Sequence, residues 1–327
     1  MINVRTPFRI GLFGGGSDYP DWYREYGGKT INFCIDKYCY ISARDLPPFF
    51  GYKWRLRYFT TEEVSSIDEI KHPSIRECLK YFNIQEGLEI VHQGDLPSRS
   101  GLGSSSAFTV GMIKALTGLQ GKVITKKNLA LTAINIEQNK IGEAVGSQDQ
   151  VATAYGGFNY TEFSEKNDFS VYPIKLKKEH LNLLQQNFLL CFTGLTRDAK
   201  DVAATQIKLT RDQKINLKDI MEICSEGYKC LTKKNDIISE IGRLLDEQWR
   251  IKKSLTKLIS NNYIDEIYDV GKKNGAIGGK LLGAGGGGFM LFIAAPEDHE
   301  KIKKALSKQM FVPFNFDFDG SKVIYHS

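Results

Sequence analysis

Pro97-Ser98-Arg99-Ser100-Gly101-Leu102-Gly103-Ser104-Ser105-Ser106-Ala107 is the stretch on which the reading of this chain turns. Before it, residues 88–93 alternate apolar and polar side chains, the period of a strand. After it, residues 104–119 read as a helix with Ser at its start, a favourable capping residue. Two glycines and a run of small hydroxyl residues thus sit between a strand and a helix. Glycine lets the backbone approach a ligand closely and take up positive φ. The unpaired N–H groups of a helix's first turn, with its dipole, favour an anion. The stretch reads as a phosphate cradle, although a lone Gly/Ser loop is as readily an ordinary turn.

Two common phosphate loops are excluded. A Walker loop needs Gly-Lys followed by Ser or Thr, which is absent here. A dinucleotide fingerprint needs a third glycine where this chain has Ser106. The fuller pattern, Pro-x-x-x-Gly-Leu-Gly-Ser-Ser, is more specific. It resembles the ATP-phosphate loop of the galactokinase, homoserine kinase, mevalonate kinase and phosphomevalonate kinase (GHMP) superfamily. The resemblance implies that Pro97, Ser98, Gly101, Leu102, Gly103, Ser104, Ser105 and Ser106 bind ATP. In it the amides from Gly101 to Ser106 hold the phosphates and Ser105 ligates magnesium.

The remaining chain supplies three more constellations. Residues 4–13 read as a strand running into Gly14-Gly15-Gly16-Ser17-Asp18-Tyr19. Such a turn presents backbone amides, and a carboxylate there accepts bonds from hydroxyls; Asp is also a common turn residue. The superfamily's opening carries Pro-x-Arg and later Thr-Asp-Tyr, matched here by Pro7-Phe8-Arg9 and Ser17-Asp18-Tyr19. By that resemblance Arg9 lies near the transferring phosphoryl group and Asp18 holds sugar hydroxyls. Galactokinases have Gly-Glu-His where this chain has Gly14, Gly15 and Gly16, so plain galactose is disfavoured. The three glycines, with Asp-Trp-Tyr-x-x-Tyr-Gly-Gly at 21–28, resemble the superfamily branch that acts on D-glycero-D-manno-heptose 7-phosphate. Exposed amides at Gly14–Gly16 would receive a bulkier or phosphorylated sugar.

Residues 126–145 read as one helix followed by a Gly-Ser-Gln-Asp turn. Glu137 falls on its apolar stripe with Ala130, Ile134, Ile141 and Val145. An inward carboxylate is costly unless it is paired or ligates a metal; the plain alternative is a stripe-edge Glu reaching solvent. The superfamily has a Glu and an Asp at closely similar spacing. The resemblance therefore implies Glu137 as a magnesium ligand and Asp149 as the catalytic base or the group that orients the acceptor hydroxyl.

Gly278-Gly-Lys-Leu-Leu-Gly283-Ala-Gly285-Gly286-Gly-Gly288-Phe precedes an apolar run, 289–294, that reads as a strand. Consecutive glycines inside a domain are entropically costly and need a reason: close approach to a ligand or a neighbouring loop, or a hinge. The superfamily's third motif is such a loop, which implies Gly285 and Gly286 at the substrate. Arg197, after a strand-like run at 187–193, matches a Gly-x-x-Arg of the heptose-kinase relatives and is expected to touch the substrate phosphate. Lys29 and Lys280 are further candidates.

Composition sets the bounds. The 327 residues are 42% hydrophobic and 25% charged, with net charge +6, as for a globular domain or two. No Lys/Arg cluster interleaved with aromatics argues for nucleic acid, and no run of 18 apolar residues argues for a membrane span. The six cysteines show no C-x-x-C spacing, so reduced thiols and a cytoplasmic location are expected. The strand and helix order predicts an α+β chain of two domains, 1–180 and 181–327, with residues 165–182 as a polar junction and the segment from 197 to about 274 helical. Further strands are expected at 30–44, 311–318 and 322–325. The resemblance implies a ribosomal-protein-like first domain, a ferredoxin-like second one, and an ATP- and magnesium-dependent sugar 1-kinase. A kinase for fucose or unphosphorylated heptose, and a non-catalytic sugar and ATP sensor, remain as alternatives.

Overall fold

The computed structural model describes residues 1–166, 168–196, 205, 214–233 and 236–327. Two mixed layers of sheet and helix form it, as the order of elements predicts. The first sheet is built on two long antiparallel strands, β1 (Ile2–Phe13) and β2 (Gly28–Asp45). Beyond β2 come β5 (Leu88–Gly94), β3 (Trp54–Arg57) and the edge strand β4 (Thr61–Val64). The strand β6 (Phe158–Phe163) pairs with the first half of β2, and β7 (Phe169–Pro173) pairs with β6. The second sheet runs β11 (Met310–Phe311), β8 (Phe188–Phe192), β10 (Phe289–Ala294), β9 (Ala276–Leu281). Every residue of β10 is buried, which is why that strand reads as an unbroken apolar run.

The helix after the serine-rich loop, α3 (Ser104–Leu119), begins and ends where the sequence predicts. It packs on β1 and β2 and is buried nearly all round, so its sequence is apolar without a clear stripe. Two short helices, α1 (Pro20–Tyr26) and α2 (Pro73–Tyr81), precede it. The expected helix at 126–145 is a different object. The α-helical part, α4 (Lys126–Asn135), passes into a π-helical turn at Ile136–Ile141, which ends at Gly142 in the left-handed region. Such turns insert a residue and are frequent at functional sites. A separate helix, α5 (Gln148–Tyr155), follows.

The expected polar junction at 165–182 holds β7 and the start of α6 (Lys178–Asn187). The described part of the helical segment comprises α7 (Lys214–Lys233), α8 (Ile237–Leu255) and α9 (Asn262–Lys273). α8 packs on β9 and α7, and α7 also touches β1 and β2. A last helix, α10 (His299–Ala305), leads to the end of the chain.

There the expected strand at 311–318 is two short pieces, β11 and β12 (Phe316–Asp317), on different sheets. β12 pairs with β2, and β13 (Lys322–His326) pairs with β1. The chain's end thus returns to the first sheet, across the division expected near residue 180. Pairing of this kind is set by partners far away in sequence and leaves no local signal. One apolar cluster runs from β1 and β2 through Phe188, Leu190, Phe289 and Leu291, and a second lies under the outer sheet around Trp249 and Phe292. No helix among the described residues is long and apolar enough to cross a membrane.

Candidate active site

Arg9 leaves β1 at a point where the strand's amide bonds outside its own sheet, to the Leu102 carbonyl at 3.0 Å. Its side chain is buried and bonded through all three nitrogens. Nε and Nη2 each donate to an oxygen of Asp149 at 2.7 Å, and Nη1 donates to the Gly101 carbonyl at 2.6 Å. Two parallel bonds of this length are the strong, orienting form of an ion pair. Asp149 lies in the first turn of α5, where the helix dipole favours a carboxylate. It is a quarter exposed, open on one side. The expected catalytic pair, Arg9 and Asp149, is therefore brought together, on the floor of the serine-rich loop.

Asp18 is buried beside them. It accepts from the Gly16 amide (2.9 Å), the Gln148 amide (3.2 Å) and the Gln148 side chain (3.2 Å). Burial pushes its carboxyl upward, as does the charge of Asp149, against those amide bonds. The turn holding Asp18 and the turn holding Asp149 are joined as well: the Ser147 amide donates to the Asp18 carbonyl at 3.0 Å.

The glycine triplet is less open than the sequence implies. The Gly14 amide already donates to Gln248 Oε1 at 2.9 Å, and the Gly16 amide is spent on Asp18. Gly14 has φ +83, and a Cβ there would stand 1.9 Å from the Lys29 carbonyl oxygen, so only glycine fits. Ser17 donates from Oγ to the carbonyls of Gly14 and Lys29, closing the turn onto β2. The expectation of three free amides for a phosphate thus reduces to that of Gly15.

In the serine-rich loop, Pro97, Ser98 and Ser105 are exposed, while Leu102, Gly103 and Ser106 are buried. The helix cap is Gly103, in the left-handed region, not a serine. No side chain caps α3, so its first-turn amides stay available to an anion. Ser104 instead accepts from the Arg99 amide at 3.2 Å.

Glu137, on the π-helical turn, is completely buried. One of its oxygens accepts from Ser106 Oγ at 3.0 Å and from the Gln150 amide group, while Oε1 has no partner. The hydroxyl bonded to Glu137 is thus that of Ser106, while Ser105, the magnesium ligand implied by the resemblance, is exposed at the helix start. Burial pushes the Glu137 carboxyl up to about 7. Among the described residues no three His, Cys, Asp or Glu side chains gather for a metal.

The glycine-rich loop at 283–288 packs on its neighbours. Gly286 donates its amide to the Ile259 carbonyl at 2.9 Å, and a Cβ on Gly285 would stand 2.7 Å from Ile259 Cα. Phe289 donates to the Ser100 carbonyl at 3.0 Å, which ties this loop to the serine-rich one. Of the two readings the sequence offered for these glycines, close approach to a neighbouring loop describes Gly285 and Gly286. Arg197 lies outside the described residues. Lys29 turns its ammonium to Ser225 of α7, at 3.4 Å, away from the triplet.

Two residues of this site carried no motif, and a third, Gln148, stands inside the Gly-Ser-Gln-Asp turn without a role read for it. Gln148 supports Asp18. Gln248 grips the glycine triplet, since its Nε2 also donates to the Leu12 carbonyl at 3.1 Å. Lys252, one turn further along α8, donates to the Gly283 carbonyl. A signal for the last two was present: they fall on the buried face of α8 with Ile241, Leu244, Leu245 and Leu255. Polar side chains on such a stripe need partners.

The GHMP kinases N terminal domain family matches residues 71–157, and the GHMP kinases C terminal family matches residues 233–312. A D-glycero-alpha-D-manno-heptose 7-phosphate kinase of Campylobacter jejuni is 31% identical over 330 residues, covering 97% of this chain and 96% of that protein. A bifunctional fucokinase/GDP-fucose pyrophosphorylase of Arabidopsis thaliana is 27% identical over 92% of this chain but only 30% of its own length. The crystal structure of a D-glycero-D-manno-heptose 1-phosphate kinase from Bacteroides thetaiotaomicron superposes with TM-score 0.82 at 25% identity, over 100% of both chains.

Proposed function

The chain belongs to the GHMP kinase family, and we propose that it transfers the γ-phosphoryl group of ATP to the anomeric hydroxyl of D-glycero-D-manno-heptose 7-phosphate, giving the 1,7-bisphosphate. It has the two-domain fold of that family and is an ATP-dependent phosphotransferase acting on a sugar. The observation that carries the choice of acceptor is the 31% identity, over nearly the whole of both chains, to a heptose 7-phosphate kinase. The Gly14-Gly15-Gly16 turn supports it, because it lacks the Glu and His of a galactose site. The product would enter the synthesis of nucleotide-activated heptose.

In this reading the acceptor lies against Asp18, and its hydroxyl faces the open side of Asp149. The ion pair with Arg9 fixes the Asp149 carboxylate, which takes or orients the hydroxyl proton. The amides at the start of α3 hold the donor's phosphates. Little covalent chemistry falls to the protein; positioning and charge neutralisation do most of the catalysis. Asp18, Gln148 and Gln248 position; Arg9, beside the transferring phosphoryl group, orients Asp149. We assign residues 1–180, with the terminal strands β12 and β13 that return to their sheet, to the first domain and the rest of 181–327 to the second, with the cleft between them holding both substrates.

Magnesium fits the donor set. The oxygens are of the kind it prefers, Ser105 offers an exposed hydroxyl at the helix start, and Glu137 has a buried carboxylate oxygen without a partner. When bound, the ion would neutralise charge on the donor's phosphates. A coupled ADP-release assay with heptose 7-phosphate, unphosphorylated heptose, fucose, mannose and galactose tests the assignment. Preference for heptose 7-phosphate is the expected result. Preference for fucose would transfer the reading to the fucokinase-like relative.

A further inference from the structure

Arg9 shares its surroundings with two buried lysines. Arg9 is neutralised by Asp149, and Asp18 is held by the amides of Gly16 and Gln148. The lysines are Lys252 from α8 and Lys280 from β9, only 7% and 4% exposed. Among the described residues neither makes an ion pair. Lys280 donates to the carbonyls of Gly11 (2.9 Å) and Leu12 (3.1 Å), and Lys252 donates to the carbonyl of Gly283. Burial and the neighbouring Lys252 and Arg9 hold the Lys280 amine well below its ordinary range, so Lys252 is the lysine that brings positive charge to Asp18 and Asp149.

Lysine is almost never buried without a charged partner. An ammonium carries three donors, so Lys280 is nearly used up while Lys252 keeps two. Lys252 also stands where the loops converge. It lies within electrostatic reach of Arg9, Asp18 and Asp149. Its carbonyl partner, Gly283, is packed against Gly101 of the serine-rich loop, where a Cβ would come within 2.6 Å of the Gly101 Cα. One turn back on the same helix, Gln248 holds the Gly14 turn.

We infer that Lys252 is a catalytic residue whose free N–H groups bind an oxyanion of the donor's terminal phosphate beside Asp149, supplying the positive charge that Arg9 has given up to its ion pair. The inference rests on the phosphotransfer reading but not on the identity of the sugar. In keeping with it, burial and the neighbouring Arg9 hold the lysine down to about 8 when no anion is present.

The test compares ATP and ADP affinity by titration calorimetry, without any acceptor, in the wild-type chain and in Lys252→Met and Lys252→Arg. Methionine keeps the length and apolar stem, so the fold should hold; a melting curve verifies it. The expected result for Lys252→Met is a fall in the ATP-to-ADP affinity ratio of about tenfold or more, the size of one lost charge-assisted hydrogen bond. ADP affinity should be unchanged, and Lys252→Arg should recover part of the ratio. An unchanged ratio in a folded Lys252→Met protein overturns the inference. If preference for a phosphorylated over a plain sugar then disappears, the lysine serves the acceptor's phosphate instead. If the ratio falls but no heptose is turned over, the lysine assignment stands and the acceptor assignment fails.

Discussion

Arg9 and Asp149 lie 140 residues apart in the chain and meet through two parallel N–H···O bonds of 2.7 Å each. One comes from the middle of the first strand, the other from the first turn of a helix that begins only after the π-helical turn has ended. The pair orients the carboxylate, and the Arg9 bond to Gly101 places it under the serine-rich loop.

Asp149→Asn keeps the shape of that side chain but removes its charge. Turnover should fall by roughly 10²- to 10⁴-fold, the usual range for a lost proton acceptor, while ATP affinity stays nearly constant. Steady-state kinetics beside calorimetric ATP binding separates the two, and near-normal turnover would remove Asp149 from the proton-accepting role.

Arg9→Lys retains a positive charge and loses the fork. A single ammonium cannot make two parallel bonds to one carboxylate and a third to Gly101. We expect kcat to drop by about tenfold or more, as one bidentate bond is worth, without a matching loss in melting temperature. Wild-type kcat in a folded Arg9→Lys enzyme would show that the bidentate geometry is dispensable.

Gln248→Leu leaves the Gly14 amide without its acceptor and the Leu12 carbonyl with Lys280 as its remaining side-chain donor. The acceptor turn should loosen while the serine-rich loop is untouched. The expected outcome is a rise of about tenfold in acceptor KM from one unsatisfied buried group, with ATP KM unchanged. Equal changes in both constants would mean that α8 steadies the whole cleft and not the acceptor turn.

Glu137 gives a pH signature. Its carboxyl is raised from 4.5 to about 7 in the folded chain by burial. Between those values the folded state holds a proton that the unfolded state has released, so stability falls as pH rises through the window. The full drop is about 3 kcal/mol for this group. Melting temperatures of wild type and Glu137→Gln across pH 4–8 should diverge in this way, with the variant flatter. Magnesium with ATP should shrink the wild-type drop, since a cation near the carboxylate favours its charged form. The same drop with and without the metal would place the ion away from Glu137.

Gly283→Val adds a side chain at φ +75, 2.6 Å from the Gly101 Cα. Strain and overpacking of this kind cost about 1–3 kcal/mol, and the serine-rich loop must shift to relieve it. ATP KM should rise with acceptor KM little changed. An unaffected ATP KM would mean that the two loops move independently.

Much of this site was legible in the chain because its parts are local. The loop at 97–107 announces itself by composition, and the helix after it begins at Ser104 and ends at Leu119 as read, because an apolar run between a glycine turn and a polar stretch has few other options. Arg9, Asp18 and Asp149 were each visible through short patterns, and the fold brings all three together. The errors were of another kind. A helix read straight through 126–145 misses the π-helical turn, since one extra residue in a turn barely disturbs the apolar stripe. The contact of Ser106 with Glu137 was not read at all, because the face of α3 that points inward is decided by the loop before it.

What the sequence by itself determined is the class of fold, the strands β1, β2 and β10, the helix α3 and the glycine-rich composition of the loops between them, because these follow from periodicity, turn residues and motif spacing within some twenty residues. The tertiary structure alone decided that β13 closes the first sheet, that Gln248 and Lys252 reach the glycine loops, and that two of three glycine amides are already taken. Each of these depends on a backbone donor or acceptor outside the local window, 31 residues away for Lys252 and 234 for Gln248, or on an amide claimed by a side chain folded back onto it. Such satisfaction of buried polar groups is a property of the packed chain and has no local trace in its sequence.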